Sequence, residues 1–290
     1  MANVFNPQPA PEQSETAAPI YSVPTAWQPF TFRGVAAFAF ASYPRLFWIQ
    51  IVFAVLCAGA IVWSLHYAWA PVVRSAVRNL PSEAPTRTEQ LVYAPSAPPV
   101  LAESRHLAVL LNPPAGQTAA DVRFEFGPRA LRVCSLLGCR TWPYPKSQTI
   151  YITRQESIPW WDAWEPNLLG IIAVVSALAF LALWTFLATL SFLPIRLFAY
   201  FADRQITLGG AWRLSAAAFL PGSLALITAL ILYAIGTADL IRFLIAVPGH
   251  LLFGIAYLVF SSRKLPFIPA VPPPDANPFT ATVAHDKTSA

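Results

Sequence analysis

The sequence predicts an α-helical polytopic membrane protein with about four transmembrane helices and a small antiparallel β-rich extracytoplasmic domain between helices 1 and 2. The chain is 56% hydrophobic and 11% charged, whereas a soluble globular domain carries roughly a quarter charged residues. Charged residues are absent from four long windows, 46–73, 168–195, 214–238 and 243–262. Each window reaches the roughly 20 apolar residues that cross a bilayer core. Between the first two windows, short β-rich runs alternate with turn-forming clusters.

The four predicted spans cover residues 45–73, 166–195, 214–238 and 243–262. The second is the strongest, because thirteen Leu, Ile, Val or Phe residues between positions 168 and 190 contribute roughly −4 to −8 kcal/mol to insertion. In the third, Pro221 predicts a kink, and the small residues Ala218 and Gly222 predict close approach to a neighbouring helix. The fourth is the weakest, because it is short and contains Pro248.

The orientation follows from basic residues near the helix ends. Seven lie on one side of the predicted spans, whereas the short loop on the other side has one, Arg242. The ten basic residues of the long segment 74–160 count little, because long loops cross the membrane regardless of charge. The positive-inside rule then places both termini on the cytoplasmic side of a bacterial inner membrane and residues 74–160 on the outer side. Helix 1 is predicted to be an uncleaved signal anchor. The seven basic residues are Arg33, Arg45, Arg196, Arg204, Arg213, Arg263 and Lys264.

Four segments outside the spans are predicted to be disordered tails or to lie at the membrane interface. Residues 1–30 and 263–290 are rich in Pro, Ala, Ser and Thr, which is typical of disordered cytoplasmic tails. Residues 31–44 and 196–213 mix apolar residues with arginine but are too short to span. We expect an interfacial helix in the first and a cytoplasmic interfacial segment in the second.

The extracytoplasmic segment 74–160 contains two cysteines that are predicted to form a disulfide. The sequence around Cys134 and Cys139 fits a strand, a four-residue turn over 135–138 and a second strand. Such a hairpin places the cysteines opposite each other, about 4.5 Å apart at Cα in a non-hydrogen-bonded pair, which a disulfide can span. Two buried free thiols are the alternative. Cys57 lies in helix 1 without a partner.

Three tryptophans, Trp160, Trp161 and Trp164, precede the second span. Tryptophan is enriched where a helix enters the membrane, so we interpret them as a membrane-interface belt. The more specific alternative is that the three tryptophans form a binding surface for carbohydrate or lipid.

Two histidines, His66 and His250, lie within or next to predicted spans and form a possible intramembrane polar site. Interhelical hydrogen bonding is the favoured role, because two histidines without a third ligand do not make a metal site. An enzyme is indicated only if both converge with Glu156, Asp162 and Glu165. No acidic or basic residue lies inside the four uncharged windows, which lowers the expectation of ion-coupled transport.

Sequence motifs for common chemistries are absent. The chain has no phosphate-binding glycine loop, nucleophile elbow or HExxH pair, so no catalytic, cofactor-binding or metal residue is predicted, and no cofactor. The basic residues form no run, which argues against a nucleic-acid partner. The lipid bilayer is the expected partner, with a protein partner or a homo-oligomer possible.

Three stretches, "YPRLF" at 43–47, "YP…IYITR" at 144–154 and "ITLGGAWRLSAAAFLPGSLALI" at 206–227, occur in an order that resembles a bacterial membrane-protein family of unknown function grouped with the Yip-like proteins. The resemblance covers about residues 30–262. It implies a polytopic membrane protein and assigns no catalytic residues. Eukaryotic Yip proteins act in membrane traffic and generally have five spans. Their Asp-Leu-Tyr-Gly-Pro motif is absent from the predicted tail of this chain.

Three classes of function follow from the sequence. The favoured class is a non-enzymatic envelope protein that binds a partner or senses a ligand through its outer domain. A channel or transporter subunit is the alternative. A membrane-embedded enzyme comes last, because it requires the convergence of histidines and carboxylates described above.

Overall fold

The computed structural model describes residues 28–82, 91–92, 98–111, 119–144, 150–151 and 153–268. It is mostly helical and contains four helical segments long and apolar enough to cross a membrane, together with a five-stranded sheet. Four helices of membrane-spanning length and a small β-rich unit are therefore confirmed. The bounds of the spans, the placement of the sheet between helices 1 and 2 and the side of the membrane stay predictions. Most of both predicted tails, residues 1–27 and 269–290, lies outside the described residues.

The described helices and strands follow one another in a simple order. The helices are α1 (Phe32–Ala37), a 3-10 helix (Phe38–Phe40), α2 (Tyr43–Ala68), α3 (Ala70–Arg78), α4 (Arg154–Phe201), α5 (Leu208–Ala218), α6 (Leu220–Ala234) and α7 (Leu240–Ser262). The strands are β1 (Leu91–Val92), β2 (Val100–Glu103), β3 (Leu107–Leu111), β4 (Val122–Phe126), β5 (Ala130–Ser135), β6 (Gly138–Pro143) and β7 (Ile150–Tyr151).

The segment predicted as an interfacial helix, 31–44, is two short helical pieces before α2. Thr31 caps α1 by accepting a hydrogen bond from the Gly34 amide. Val35 and Phe38 are fully buried, and the segment packs on α5 and α7. Part of its apolar surface is therefore covered by protein, whereas Phe32 and Phe40 stay exposed.

The third span is divided into α5 and α6 at Phe219. Pro221 lies in the first turn of α6, where its missing amide costs no helical hydrogen bond. The predicted change of direction thus lies at a helix junction. A Cβ atom on Gly222 would approach the His250 carbonyl to less than 3.0 Å, so α6 and α7 pack at backbone contact here.

Helix α4 is much longer than its predicted span, 166–195. It runs unbroken for 48 residues and contains Pro159, Pro166 and Pro194. At its far end it includes the first six residues of the predicted interfacial segment 196–213, and α5 begins at Leu208. That segment is consequently the end of one helix, a turn and the start of the next.

The five-stranded sheet has the order β2-β3-β4-β5-β6 and is mixed, so the prediction of a purely antiparallel sheet was wrong. Strands β3 and β4 run parallel, and the other neighbours run antiparallel. All five residues of β3 are buried. A strand that is buried on both faces has a continuous apolar run. Such runs are typical of parallel strands, whereas antiparallel strands commonly have one face in water and alternate apolar with polar residues.

The hairpin of β5 and β6 contains the predicted cysteine pair. Cys134 pairs with Cys139 in the register, and the two are joined by a disulfide. Ser135 also pairs with Gly138, so the turn has two residues rather than the predicted four. Gly138 has φ +112°, a conformation that glycine adopts without strain. The free thiol of Cys57 is buried in the bundle.

Helix α3 joins the helical bundle to the sheet. Its buried residues Val72 and Ala76 pack with Leu101, Leu107 and Val109 of the sheet in one apolar cluster. The other face of the sheet carries charge, because Glu125 pairs across the strands with Arg132 and lies 3.7 Å from its guanidinium. The sheet therefore has one apolar face toward the helices.

Candidate functional site

The two predicted intramembrane histidines have different neighbours. His250 is buried, and its Nδ1 contacts the Val247 carbonyl within α7. The His66 imidazole is more than half exposed and lies 3.5 Å from a carboxylate oxygen of Glu165. The two histidines share no contact among the described residues, so the convergence that an enzyme required is only partly present.

Glu165 is the centre of a polar cluster where α2, α3 and α4 meet. It is 8% exposed and accepts two hydrogen bonds from the Arg74 guanidinium, one of 2.8 Å from Nε and a shorter one from Nη2. His66 Nδ1 lies near Oε1, the same carboxylate oxygen that Arg74 Nη2 contacts. Such a bidentate pair holds α3 against α4. Sequence reasoning identified His66 and Glu165 but not Arg74.

A second polar cluster connects the sheet to the bundle. Tyr233, near the end of α6, donates a 2.9 Å hydrogen bond to Asp121, the residue before β4. The same carboxylate oxygen lies 3.6 Å from Nδ1 of the buried His106, and Arg105 donates to the Gly236 carbonyl. Sequence reasoning missed this cluster, because its members are 112 residues apart along the chain. Together these contacts fix one end of the sheet to α6.

The apolar face of the sheet is only partly covered by α3, and a cavity of about 660 Å³ remains. This volume is within the range of small-molecule pockets, about 300–1,000 Å³. Its walls are α3, the first turns of α4, and strands β2 to β5. The lining residues are Val73, Ala76, Val77, Leu80, Leu101, Val109, Leu111, Phe124, Phe126, Leu131, Glu156, Ser157, Trp160 and Trp161.

The cavity lining is almost entirely carbon. Its side chains with polar atoms come from the start of α4 and are Glu156, Ser157 and the indoles of Trp160 and Trp161. Among the lining residues Glu156 is the one carboxylate, and none is Lys, Arg or His. The arrangement can therefore sequester an apolar group.

The apolar surface continues beyond the cavity toward the edge of the sheet. Strand register aligns Leu111, Phe126, Leu131 and Trp142 in one row on the same face. Trp142, on the outermost strand, is 49% exposed. The row runs from the buried Leu111 in the cavity wall to the exposed Trp142 at the edge of the sheet.

The predicted tryptophan belt is divided between the cavity and its surroundings. Trp160 and Trp161 line the cavity. Trp164 does not line it, but its ring centroid lies 6.3 Å from that of Trp160. Both Trp160 and Trp164 are about half exposed. The belt residues therefore lie where the cavity wall leads into the second span.

Comparison of the chain with protein-family models, curated proteins and solved structures gave no match. None of these comparisons bears on the Yip-like resemblance, which stays a prediction. Within the described part of the chain, no group of three His, Cys, Asp or Glu residues is placed to hold a metal ion.

Proposed function

We propose that the protein is a non-enzymatic, membrane-anchored binding protein that takes the acyl chain of a lipid or similar amphiphile into the cavity under its sheet. The observation that carries the proposal is the cavity lining, in which aliphatic and aromatic residues surround a volume of about 660 Å³. Burying apolar surface from water contributes about 25 cal/mol per Å². The lining thus favours an apolar ligand, or the part of a ligand that has no hydrogen-bonding groups.

A membrane lipid is the favoured source of the chain, because one wall of the cavity belongs to a spanning helix. Trp160 and Trp161 lie in the first turns of α4, and the apolar window of the same helix begins at Leu168. Eight residues of helix, roughly 12 Å, separate Trp160 from that window. A chain that leaves the outer membrane surface would meet the cavity without crossing a long aqueous gap.

The proposed topology places the sheet outside the cytoplasmic membrane of a bacterium and both termini inside. The asymmetry of basic residues supports it, and so does the Cys134–Cys139 disulfide, because disulfides persist in oxidising compartments. The Yip-like resemblance, if it reflects descent, adds a polytopic membrane location but no activity.

The test uses a fatty acid carrying a photoactivatable diazirine in the middle of its chain, added to the full-length protein in nanodiscs. Labelled peptides are mapped by mass spectrometry. We expect labelling of the sheet and of the start of α4, in addition to nonspecific labelling of the spans. Labelling confined to the spans would contradict the proposal.

A pair of variants on the same helical turn sharpens this test. Ser157→Trp places a large side chain in the cavity, because Ser157 lines it. Gln155→Trp adds the same side chain at an exposed position that does not line it. Labelling of the sheet should fall severalfold only in Ser157→Trp, with labelling of the spans unchanged in both. Equal labelling of the sheet in the two variants would also contradict the proposal.

A further inference from the structure

A second cavity, of about 470 Å³, lies at the other end of the bundle, where α4 ends and α5 begins. It is lined by two arginines, Arg196 and Arg204, by polar groups of Tyr200, Gln205 and Thr207, and by apolar residues at its edges. No carboxylate lines it. This is the chemistry of an anion site rather than of the apolar cavity under the sheet.

The two arginines differ in how they are held. Arg204 donates a 2.6 Å hydrogen bond to the Leu265 carbonyl, and its guanidinium lies 3.5 Å from the centre of the Phe267 ring. Arg196 is exposed and has no ion pair or hydrogen bond to any part of the chain that the structure describes. One guanidinium thus belongs to the frame of the cavity, and the other is available to a ligand.

The surrounding charge also favours an anion. Seven basic residues occur near this end of the bundle, whereas Asp203 is the one acidic residue in stretches 28–50, 190–213 and 258–268. Asp203 does not line the cavity. Close, like-charged side chains raise the local potential and draw in counter-ions of opposite charge.

The outer surface of α4 beside the cavity is apolar. Leu193, Leu197 and Phe201, four residues apart, lie on one stripe of the helix and are each more than half exposed. Tyr200, which lines the cavity, is 71% exposed next to this stripe. A ligand that combined an anionic group with hydrocarbon chains would match both surfaces at once.

We infer that this cavity binds the phosphate head group of an anionic phospholipid, with the acyl chains lying along the exposed stripe of α4. Basic pockets between transmembrane helices bind such head groups, and guanidinium groups match phosphate oxygens in geometry as well as charge. The apolar stripe selects a lipid over free phosphate. This inference does not depend on the proposed ligand of the sheet cavity.

The experiment measures lipid retention by native mass spectrometry of the full-length protein released from a neutral detergent. Equal amounts of phosphatidylglycerol and phosphatidylcholine are offered. We expect preferential retention of phosphatidylglycerol, and a reduction of about fivefold in Arg196→Gln, the change expected for one arginine near a lipid surface. Arg196→Lys, which keeps the charge, should retain an intermediate amount.

Arg263→Gln is the matched control, because it removes an equal charge from the same end of the bundle without altering the cavity lining. An equal loss in both variants, or no loss in either, would overturn the inference in favour of diffuse surface attraction. A third arm adds inorganic phosphate instead of lipid. If phosphate stabilised the wild-type protein against heat as much as phosphatidylglycerol did, the lipid assignment would be overturned. The melting temperature without lipid should be unchanged in Arg196→Gln, since this side chain has no hydrogen bond or ion pair to lose among the described residues.

Discussion

Replacing Gly222 with alanine tests how closely helices α6 and α7 are packed. The added Cβ would approach the His250 carbonyl oxygen to less than 3.0 Å, whereas ordinary van der Waals contact begins at 3.4 Å. The atom that it meets is backbone, which has no rotamer to change. The two helices must therefore separate locally, by on the order of half an ångström or more, and lose contacts along the junction.

The magnitude is the balance of two effects. Overpacking a well-filled site costs about 1–3 kcal/mol, and replacing glycine with alanine in a helix returns about 0.5–1 kcal/mol. We expect a net destabilisation of about 1–2 kcal/mol for Gly222→Ala.

Gly249→Ala is the control for Gly222→Ala, because a Cβ at Gly249 meets no atom within 4 Å. It changes the same residue type, one position before His250 in the neighbouring helix. Both variants are unfolded by SDS titration from mixed micelles, with helical circular dichroism as the signal. The reasoning fails if Gly222→Ala is as stable as Gly249→Ala, because the helices would then not be in backbone contact.

Two further predictions concern the polar clusters at the sheet end of the bundle. Arg74→Gln should lower the free energy of unfolding by about 1–2 kcal/mol, because it leaves the buried Glu165 carboxylate without its bidentate partner. The exposed Arg78 on the same helix gives the control, since Arg78→Gln should change that free energy by less than about 0.5 kcal/mol, and equal effects in the same SDS titration would argue against a specific pair. Tyr233→Phe should remove about 1–2 kcal/mol of docking energy by deleting the hydrogen bond to Asp121. Hydrogen exchange should accelerate in the strand that follows Asp121, and unchanged protection there would show that the sheet is held by other contacts.

The spans could be predicted from sequence because hydropathy is a local property. Each apolar window corresponds to helix in the structure. The boundaries were harder, as α4 shows. Its first turns contain Asp162 and Glu165, which lie outside the apolar window, and Pro159 and Pro166, which in a helix interior indicate a kink or an end. The helix nevertheless continues through all four. Pairing of Glu165 with another helix offsets its burial, and the proline rings are accommodated without ending the helix.

The site features that the sequence did not predict depend on distant contacts. Arg74 and Glu165 are 91 residues apart, and no local pattern indicates that they meet. The parallel pairing of β3 and β4 likewise depends on the path between them, although the unbroken apolar run of β3 was a signal that could have suggested it. The cavity under the sheet arises because α3 is nine residues long and covers only part of the apolar face.

The length of α4 has a mechanical consequence. At 1.5 Å per residue its 48 residues extend for about 72 Å, more than twice the roughly 30 Å of a bilayer core. Trp160 in the wall of one cavity and Arg196 in the wall of the other lie on this same helix, thirty-six residues or about 54 Å apart. A change in tilt of the helix, such as a thinner or thicker bilayer imposes, would reposition one wall of each cavity simultaneously. The walls of the two cavities are thus coupled through one helix.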